Sequence, residues 1–324
     1  MTDDWMPTDW QDAASTPLAG DASARRYWRL HRADGANAVL MHDPEGDVAL
    51  FARLARHLTD LDLSAPTIIA ETRGKLLIED LGDAVFARLM NADPDCEFRL
   101  YSSAIEALAV LHDHPPPAGL DRADPARLAA MTDLAFDWYA TRAGASKAKP
   151  NRAMRLMQDA LDRHAPDTDV MILRDFHAEN LIWLPDRSGA ARAGLLDFQD
   201  ALKGHRAYDL ASLITDARRD VSPDMHAALV RDYLDRTGLE AAPFRAALAV
   251  LGVQRNLRIL GVFARLAATR GKPQYVDLIP RVWRHLSVGL SHPALAELAA
   301  ELHRLLPNPT PDRLHKLRTP CPTP

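Results

Sequence analysis

Residues 173–183 read LRDFHAENLIW, and residues 194–201 read GLLDFQDA. Together they space an aspartate, Asp175, an asparagine, Asn180, and a second aspartate, Asp197, as phosphoryl-transfer enzymes do. Phosphoryl transfer needs a carboxylate that orients the acceptor hydroxyl and accepts its proton, and Mg²⁺ that holds the nucleotide phosphates. The spacing therefore predicts that Asp175 is the base and that Asn180 and Asp197 are Mg²⁺ ligands.

The chain between Asn180 and Asp197 is predicted to fold as a β-hairpin. An apolar run at 181–184 is followed by a typical turn composition at 185–189 and by a second apolar run at 193–198. A hairpin returns Asp197 to the level of Asn180, so that both side chains can reach one cation. Each half of the pattern alone is well explained by a helix cap, a turn and a strand end. The two halves joined by a hairpin favour a functional site.

Two residues differ from the protein-kinase motifs H-R-D-x-x-x-x-N and D-F-G. Leu173 stands at the histidine position and Gln199 at the glycine position. These differences favour the small-molecule phosphotransferases, in which a further acidic residue commonly follows the second aspartate. Asp200 supplies that residue and is a candidate substrate contact. At these motifs the chain resembles the aminoglycoside phosphotransferase and choline kinase superfamily.

A closer resemblance extends over about residues 18–290. Besides the two motifs above, it is carried by LAGDASARRYWRL at 18–30, LLIEDLGD at 76–83, YDLASLI at 208–214, QRNLRILGVFARL at 254–266 and RGKPQYVDLIPRVWRHL at 270–286. These stretches are similar to the N-acetylmuramate/N-acetylglucosamine anomeric kinases of bacterial cell-wall recycling. The resemblance implies that ATP is the phosphoryl donor and that the anomeric hydroxyl of one or both sugars is the acceptor.

The resemblance also implies an α+β, bilobed protein-kinase-like fold with a small β-rich N-lobe and a large helical C-lobe. We expect a nucleotide-binding lobe at 1–80, a helical lobe with the catalytic loop and acceptor site at 81–305, and a mobile proline-rich tail at 306–324. Residue patterns predict N-lobe strands at 18–30, 37–42, 67–70 and 75–79 and a helix at 48–61. They predict C-lobe helices at 98–112, 127–142, 151–164, 207–218, 223–237, 242–269, 276–289 and 293–305.

Three residues are predicted to contact the nucleotide. Ser23 lies in a turn at 20–24 whose side chain and backbone could donate hydrogen bonds to phosphates, although a plain hairpin explains the turn about equally well. The extended backbone from Glu79 to Leu81, at the predicted crossing between the lobes, could form hydrogen bonds with adenine.

One expected nucleotide contact is missing from the sequence. The strand at 39–42 reads VLMH, with no lysine where related kinases keep an ATP-binding lysine. The usual lysine contact to the α and β phosphates is therefore in doubt. Arg25, Arg26 or Arg29 could supply the positive charge instead, and for any one of them a place on a strand surface is an equally good interpretation.

The helix predicted at 242–269 carries three arginines, Arg255, Arg258 and Arg265, on one side. A solvent-exposed face is the first expectation for them. The resemblance supports a second interpretation, in which Arg255 borders the acceptor site and meets the lactyl carboxylate of N-acetylmuramate. Asp209 is expected to brace the catalytic loop through hydrogen bonds rather than to touch substrate.

The composition is that of a globular enzyme, with 324 residues, 47% hydrophobic and 26% charged. No apolar run approaches the about 18 residues that span a bilayer, and the first four residues, MTDD, include two acidic ones where a signal peptide would be basic. Cys96 and Cys321 have no CxxC spacing and suit a reducing compartment. A net charge of -5 gives no general attraction to nucleic acid. We therefore expect a cytoplasmic monomer whose partners are ATP and a sugar, with no nucleic acid and no membrane.

Two alternatives stay open from the sequence. The acceptor could be another alcohol, such as an aminoglycoside or a choline-like compound, although cationic acceptors call for an acidic site and the arginines point weakly the other way. The chain could also be a nucleotide-binding pseudokinase that regulates a partner. Asp175, Asn180 and Asp197 argue against that second alternative, and the missing lysine argues for it.

Overall fold

The computed structural model describes residues 5–18, 25–145 and 150–319. These residues form two compact units, and each unit contains more than one stretch of chain. The first unit comprises Met1–Pro117 and Glu179–Ala201, and the second comprises Ala118–Ala178 and Leu202–Pro324. This division differs from the predicted lobes because residues 81–117 and the hairpin after Asn180 group with the N-terminal sheet.

An antiparallel five-stranded sheet organises the first unit, with strand order β1-β2-β3-β5-β4. The strands are β1 (Ala14–Leu18), β2 (Arg26–His31), β3 (Asn37–His42), β4 (Ile68–Thr72) and β5 (Lys75–Glu79). The sequence patterns missed β1 because this edge strand is almost fully exposed and has no apolar alternation. In the register of β2 and β3, Arg26 lies opposite His42. The position of Arg25, one residue before β2, is thereby set beside the end of β3.

Four helices and a hairpin complete the first unit. The helices are α1 (Thr8–Gln11), α2 (Val48–Asp60), α3 (Phe86–Ala92) and α4 (Glu97–His112). Asp47 caps the start of helix α2, and its side chain accepts a hydrogen bond of 2.9 Å from the Leu50 N–H. The predicted hairpin is present as β7 (Leu181–Trp183) and β8 (Ala193–Leu195), with Leu181 opposite Leu195.

The second unit is mainly helical. Its helices are α5 (Pro125–Ala130), α6 (Asn151–His164), α7 (Ala207–Ile214), α8 (Pro223–Thr237), α9 (Ala241–Thr269), α10 (Ile279–Leu290), α11 (Ala296–Leu305) and α12 (Pro311–Arg318). A two-stranded pair, β6 (Val170–Ile172) and β9 (Leu202–Gly204), precedes and follows the catalytic motifs. Helix α9 is long and apolar enough to cross a membrane, but 72% of its most apolar window is buried within the described chain. It is the central helix of this unit.

Two sequence predictions differ from the structure of the second unit. The helix predicted at 127–142 is split into α5 and a π-helical segment, Ala135–Ala140. At the break, Leu134 packs so closely on α9 that a Cβ added to Gly261 would lie 2.1 Å from the Leu134 carbonyl carbon. The stretch predicted as a mobile tail contains α12, because Pro311 occupies the first helical turn and Leu317 is buried.

Candidate phosphoryl-transfer site

The second unit holds the loop that carries Asp175, and a buried carboxylate holds that loop. Asp209 on α7 accepts hydrogen bonds from the backbone N–H groups of Leu173 (2.6 Å) and Arg174 (2.8 Å). Its side chain has no solvent exposure, and this burial raises the pKa of Asp209 to about 6, while the two backbone donors lower it. The predicted bracing role of Asp209 is therefore confirmed.

The residue before the predicted base has an uncommon backbone conformation. Arg174 has φ +72°, in the left-handed region that side chains other than glycine rarely adopt. Its carbonyl oxygen accepts hydrogen bonds from Arg255 Nη1 (2.9 Å) and from Ser212 Oγ (3.2 Å). Asp175 follows, and its N–H donates to the Leu173 carbonyl at 2.9 Å. Such strain persists where surrounding contacts fix it, commonly at functional sites.

Arg255 is part of this support. The residue is 7% exposed, so the solvent-facing interpretation was wrong for it, whereas Arg265 on the same helix is exposed. Its Nη2 donates to Ser212 Oγ at 2.5 Å, and its guanidinium lies 4.9 Å from the ring centre of Tyr208. These contacts orient the loop. The predicted contact of Arg255 with a sugar carboxylate stays a prediction.

A buried histidine follows the base in the same loop. His177 Nε2 lies 3.2 Å from Arg218 Nη1. The pKa of His177 lies well below its usual range, mainly because the ring is buried and secondly because of the charge of Arg218. His177 is therefore a neutral residue of the loop, whereas Asp175 is the predicted base.

In the first unit the hairpin brings the two predicted metal ligands together. The Leu196 N–H donates to the Asn180 carbonyl at 3.0 Å, and Asn180 Nδ2 lies 3.5 Å from Asp197 Oδ2. The predicted return of Asp197 to the level of Asn180 is thus confirmed. Asp197 has φ +57°, so this predicted metal ligand shares the left-handed conformation of Arg174, the residue before the predicted base.

The oxygen donors at Asp197 suit a hard cation. Its side chain is 45% exposed and also accepts a hydrogen bond from Gln199 Nε2 at 2.6 Å. No group of three or more His, Cys, Asp or Glu side chains is arranged for a metal in the described parts of the chain. Mg²⁺ is characteristically bound by one or two protein ligands plus water and substrate phosphates. Asn180 and Asp197 fit that requirement, and their role as ligands stays a prediction.

The structure bears to different degrees on the predicted contacts with the nucleotide and the substrate. The Glu79 N–H donates to the Thr67 carbonyl at 2.9 Å. The Glu79 carboxylate accepts hydrogen bonds from Thr67 Oγ1 (2.9 Å) and from Arg187. The Glu79 N–H is therefore engaged within the first unit, and the adenine contacts of the backbone from Glu79 to Leu81 stay predictions. Ser23 lies outside the described residues. Asp200 is exposed, and its substrate contact stays a prediction.

A cavity of about 850 Å³ lies in the second unit and is bordered by α7, α8, α9 and α10. Arg245, His226 and Asn256 are among its lining residues. Neither Asp175 nor Arg255 lines it. The cavity therefore lies beside the predicted acceptor residue Arg255 rather than around it, and sequence reasoning gave no signal for it.

The braced loop of the predicted base and the Asn180–Asp197 pair each agree with the phosphoryl-transfer chemistry that the motif spacing predicts. The chain matches the phosphotransferase enzyme family over residues 15–247, and it belongs to that family. One solved structure of this fold is a choline/ethanolamine kinase family protein from Mesorhizobium loti, with a TM-score of 0.62 and 16% identity. The match covers 90% of this chain and 93% of that one, and the predicted fold class is confirmed.

Two relatives are more specific. The chain is 37% identical to an N-acetylmuramate/N-acetylglucosamine kinase of Caulobacter vibrioides, over 91% of this chain and 93% of that protein. It is 32% identical to a protein of the same name from Pseudomonas aeruginosa, over 89% of this chain and 88% of that protein. The predicted resemblance is confirmed, and kinase activity is the family's expected chemistry, with ATP as donor.

Proposed function

We propose that this chain transfers the γ-phosphoryl group of ATP to the anomeric hydroxyl of N-acetylmuramate, N-acetylglucosamine or both. The observation that carries the acceptor is the similarity, over most of the chain, to two kinases named for both sugars. The braced base loop and the Asn180–Asp197 pair support the reaction type.

In the proposed reaction, Asp175 accepts the proton of the acceptor hydroxyl as that oxygen bonds to the γ-phosphorus. The bond from the γ-phosphorus to the bridging oxygen breaks, and ADP leaves with the electron pair. An anomeric hydroxyl is more acidic than an ordinary alcohol, so a carboxylate has less proton-transfer work to do. Positioning of the base then contributes much of the acceleration. This is why the hydrogen bonds of Asp209 and Arg255 to the backbone just before Asp175 matter for the reaction.

Mg²⁺, held by Asp197 and Asn180, would neutralise charge on the nucleotide phosphates. Asp197 contributes a half-exposed carboxylate to this role. The backbone from Glu79 to Leu81 would contact adenine, Ser23 the phosphates and Asp200 the acceptor. Each of these three is a proposal from sequence and resemblance.

We place the reaction in the cytoplasm. Both substrates of such a kinase are small molecules, and ATP is a cytoplasmic compound. We further propose that the chain acts as a monomer.

The test is ATP consumption across a panel of N-acetylmuramate, N-acetylglucosamine, an aminoglycoside and choline, with ³¹P NMR of each product. We expect turnover with one or both sugars and a phosphorus signal coupled to the anomeric proton. The matched control is the 1-O-methyl form of each sugar, which lacks only the reacting hydroxyl and should not be phosphorylated. Turnover of the 1-O-methyl sugar would contradict the anomeric assignment, and turnover of choline or the aminoglycoside alone would contradict the acceptor class.

A further inference from the structure

The first unit must stabilise a polyphosphate without the usual lysine. Strand β3 carries none, and three nearby arginines are the possible replacements. A cation at this place neutralises charge on the phosphates and orients them, so its loss is expected to weaken nucleotide binding. The contacts of the three arginines differ enough to choose among them.

Arg29 is occupied elsewhere. Its Nε lies 2.6 Å from Asp80 Oδ2, and its Nη1 lies 2.8 Å from Asp83 Oδ2. Two carboxylates therefore hold it at the end of β5, and neither of them is a predicted metal ligand. Arg26 begins β2 with an exposed side chain, and successive side chains along a strand point to opposite faces. Neither arginine contacts the Asp197 carboxylate.

Arg25 has different surroundings. Its Nε donates to Asp43 Oδ2 at 2.7 Å, and its Nη1 lies 3.6 Å from Asp197 Oδ1, the carboxylate assigned to the metal. Tyr27 also interacts with the guanidinium, whose pKa is raised above its usual value by its partners Asp43 and Tyr27 in spite of burial. Arg25 thus bridges a fixed carboxylate and the metal-binding one.

Asp43 is built to hold Arg25. It is 7% exposed, its Oδ1 accepts the Gly46 N–H at 3.0 Å, and its own N–H donates to the Gly74 carbonyl at 2.8 Å. A Cβ at Gly46 would lie 2.0 Å from Asp43 Oδ2, so the turn requires glycine there. Both ends of the Asp43 carboxylate are therefore in use, which fixes the direction of the Arg25 side chain.

We propose that Arg25 is the phosphate-binding cation of this chain and that Asp43 is the carboxylate that positions it. The pair would do what a lysine and a helix glutamate do in protein kinases, with the cation placed before β2 instead of on β3. One arginine between two carboxylates leaves one net negative charge. A divalent cation at Asp197 reverses that sign, so the site becomes attractive to polyphosphate only when metal is present. This inference rests on the proposed use of ATP.

Nucleotide affinity, rather than activity, tests the proposal. Isothermal titration calorimetry would measure ATP, ADP and adenosine binding to the wild-type chain and to Arg25→Gln, with Mg²⁺ present. Loss of a charge-assisted contact of ~1.5–3 kcal/mol corresponds to about 10- to 150-fold weaker ATP and ADP binding. Adenosine affinity should not change, because adenosine has no phosphate.

Two further variants complete the test. Arg26→Gln removes the adjacent, exposed arginine and should leave all three affinities unchanged. Asp43→Asn retains Arg25 but weakens its support, and it should reduce ATP affinity less than Arg25→Gln does. If Arg25→Gln folds poorly, Arg25→Lys can be used instead, because it keeps the charge on a shorter side chain. It should lower the affinity for ATP and leave the affinity for adenosine unchanged.

The outcomes separate this inference from the proposed function. Unchanged ATP affinity in folded Arg25→Gln, or in Arg25→Lys where that variant is used, would overturn the role of Arg25 and leave the kinase assignment intact. Equal losses for ATP and adenosine would also overturn it, since a phosphate contact cannot act on adenosine. No ATP binding by the wild-type chain would overturn the proposed function together with this inference.

Discussion

Asp197 in the first compact unit and Asp209 in the second both belong to the motifs that predict phosphoryl transfer, but their surroundings are opposite in kind. Asp197 is 45% exposed and has polar side chains around it, whereas Asp209 has no exposure and accepts two backbone N–H groups. An exposed carboxylate with side-chain partners can exchange them for a cation. A buried carboxylate that completes backbone hydrogen bonds is part of the framework.

The arginines repeat the contrast. Arg25 in the first unit links two carboxylates, and Arg255 in the second donates to a backbone carbonyl and a serine hydroxyl while it stacks on Tyr208. The proposed role of the first arginine is to present charge to a ligand, whereas the second uses its charge to fix a backbone segment. From this comparison, substitutions in the first unit should change nucleotide or metal binding, whereas substitutions in the second should change turnover or stability with nucleotide affinity nearly intact.

The largest effect is expected at Asp197. Asp197→Ala should lower kcat by at least ~1,000-fold and weaken Mg·ATP binding, because metal charge stabilisation supplies several kcal/mol. Steady-state kinetics over a Mg²⁺ series and calorimetry with Mg·ATP would measure both. Asp186→Ala, which removes an exposed aspartate from the turn of the same hairpin, is the control and should behave as wild type. Mg²⁺ dependence that is unchanged in Asp197→Ala would remove Asp197 from the metal site.

The next effect is expected at Asp175 in the second unit, where a substitution should lower turnover without weakening nucleotide binding. Asp175→Asn keeps the shape of the side chain but removes the base, so kcat should fall by at least ~100-fold with ATP affinity nearly intact. Calorimetry with Mg·ATP checks the second half of that statement. Asp167→Asn, an exposed aspartate before β6, is the matched control. Near-full turnover in Asp175→Asn would exclude Asp175 as the base.

Arg255 should show a smaller loss that is equal for both sugars. Arg255→Lys cannot donate to Arg174 and Ser212 together while stacking on Tyr208, so we expect kcat to fall by about 10-fold, with little change in KM. Arg265→Lys on the exposed side of α9 is the control. A loss confined to N-acetylmuramate, and expressed in KM, would instead support the predicted contact with the lactyl carboxylate.

The sequence predicted the site better where residues close together in the chain determine the structure than where packing between distant segments determines it. The spacing of Asn180, the turn at 185–189 and Asp197 was enough to place the hairpin and the paired side chains, because register in a short hairpin follows from the turn. The same reasoning identified Asp209 as a brace. It could not show which atoms Asp209 holds, since these depend on how α7 packs beside the loop.

Arg255 and the tail show where such reasoning fails. Helical periodicity placed Arg255 on a polar side of α9, but periodicity does not tell a solvent-exposed face from a buried polar one, and Tyr208 and Ser212 are 43 or more residues away in sequence. Prolines suggested a mobile tail, yet Pro311 begins α12. The choice of Arg25 among three arginines likewise needed the position of Asp43.

The smallest and most specific effect concerns the pH dependence of stability. Burial raises the pKa of Asp209 to about 6, above its ordinary value near 3.8, with contributions of opposite sign from the charges of Arg255 and Asp175. Between these two values the folded chain holds a proton that the unfolded chain has lost. Unfolding then releases that proton, so the contribution of Asp209 to the free energy of unfolding falls as pH rises through the window and is flat above it.

Asp209→Asn removes this titration. Urea denaturation at several values between pH 4 and pH 8 would give the free energy of unfolding of both chains. The difference, wild type minus variant, should decrease with rising pH by at most ~1.4 kcal/mol per pH unit up to about pH 6 and then stay constant. Asp224→Asn, at the exposed start of α8, should leave the wild-type curve unchanged. A difference that rises with pH would mean that the backbone donors outweigh burial at Asp209, and the contrast with the exposed Asp197 would then rest on geometry alone.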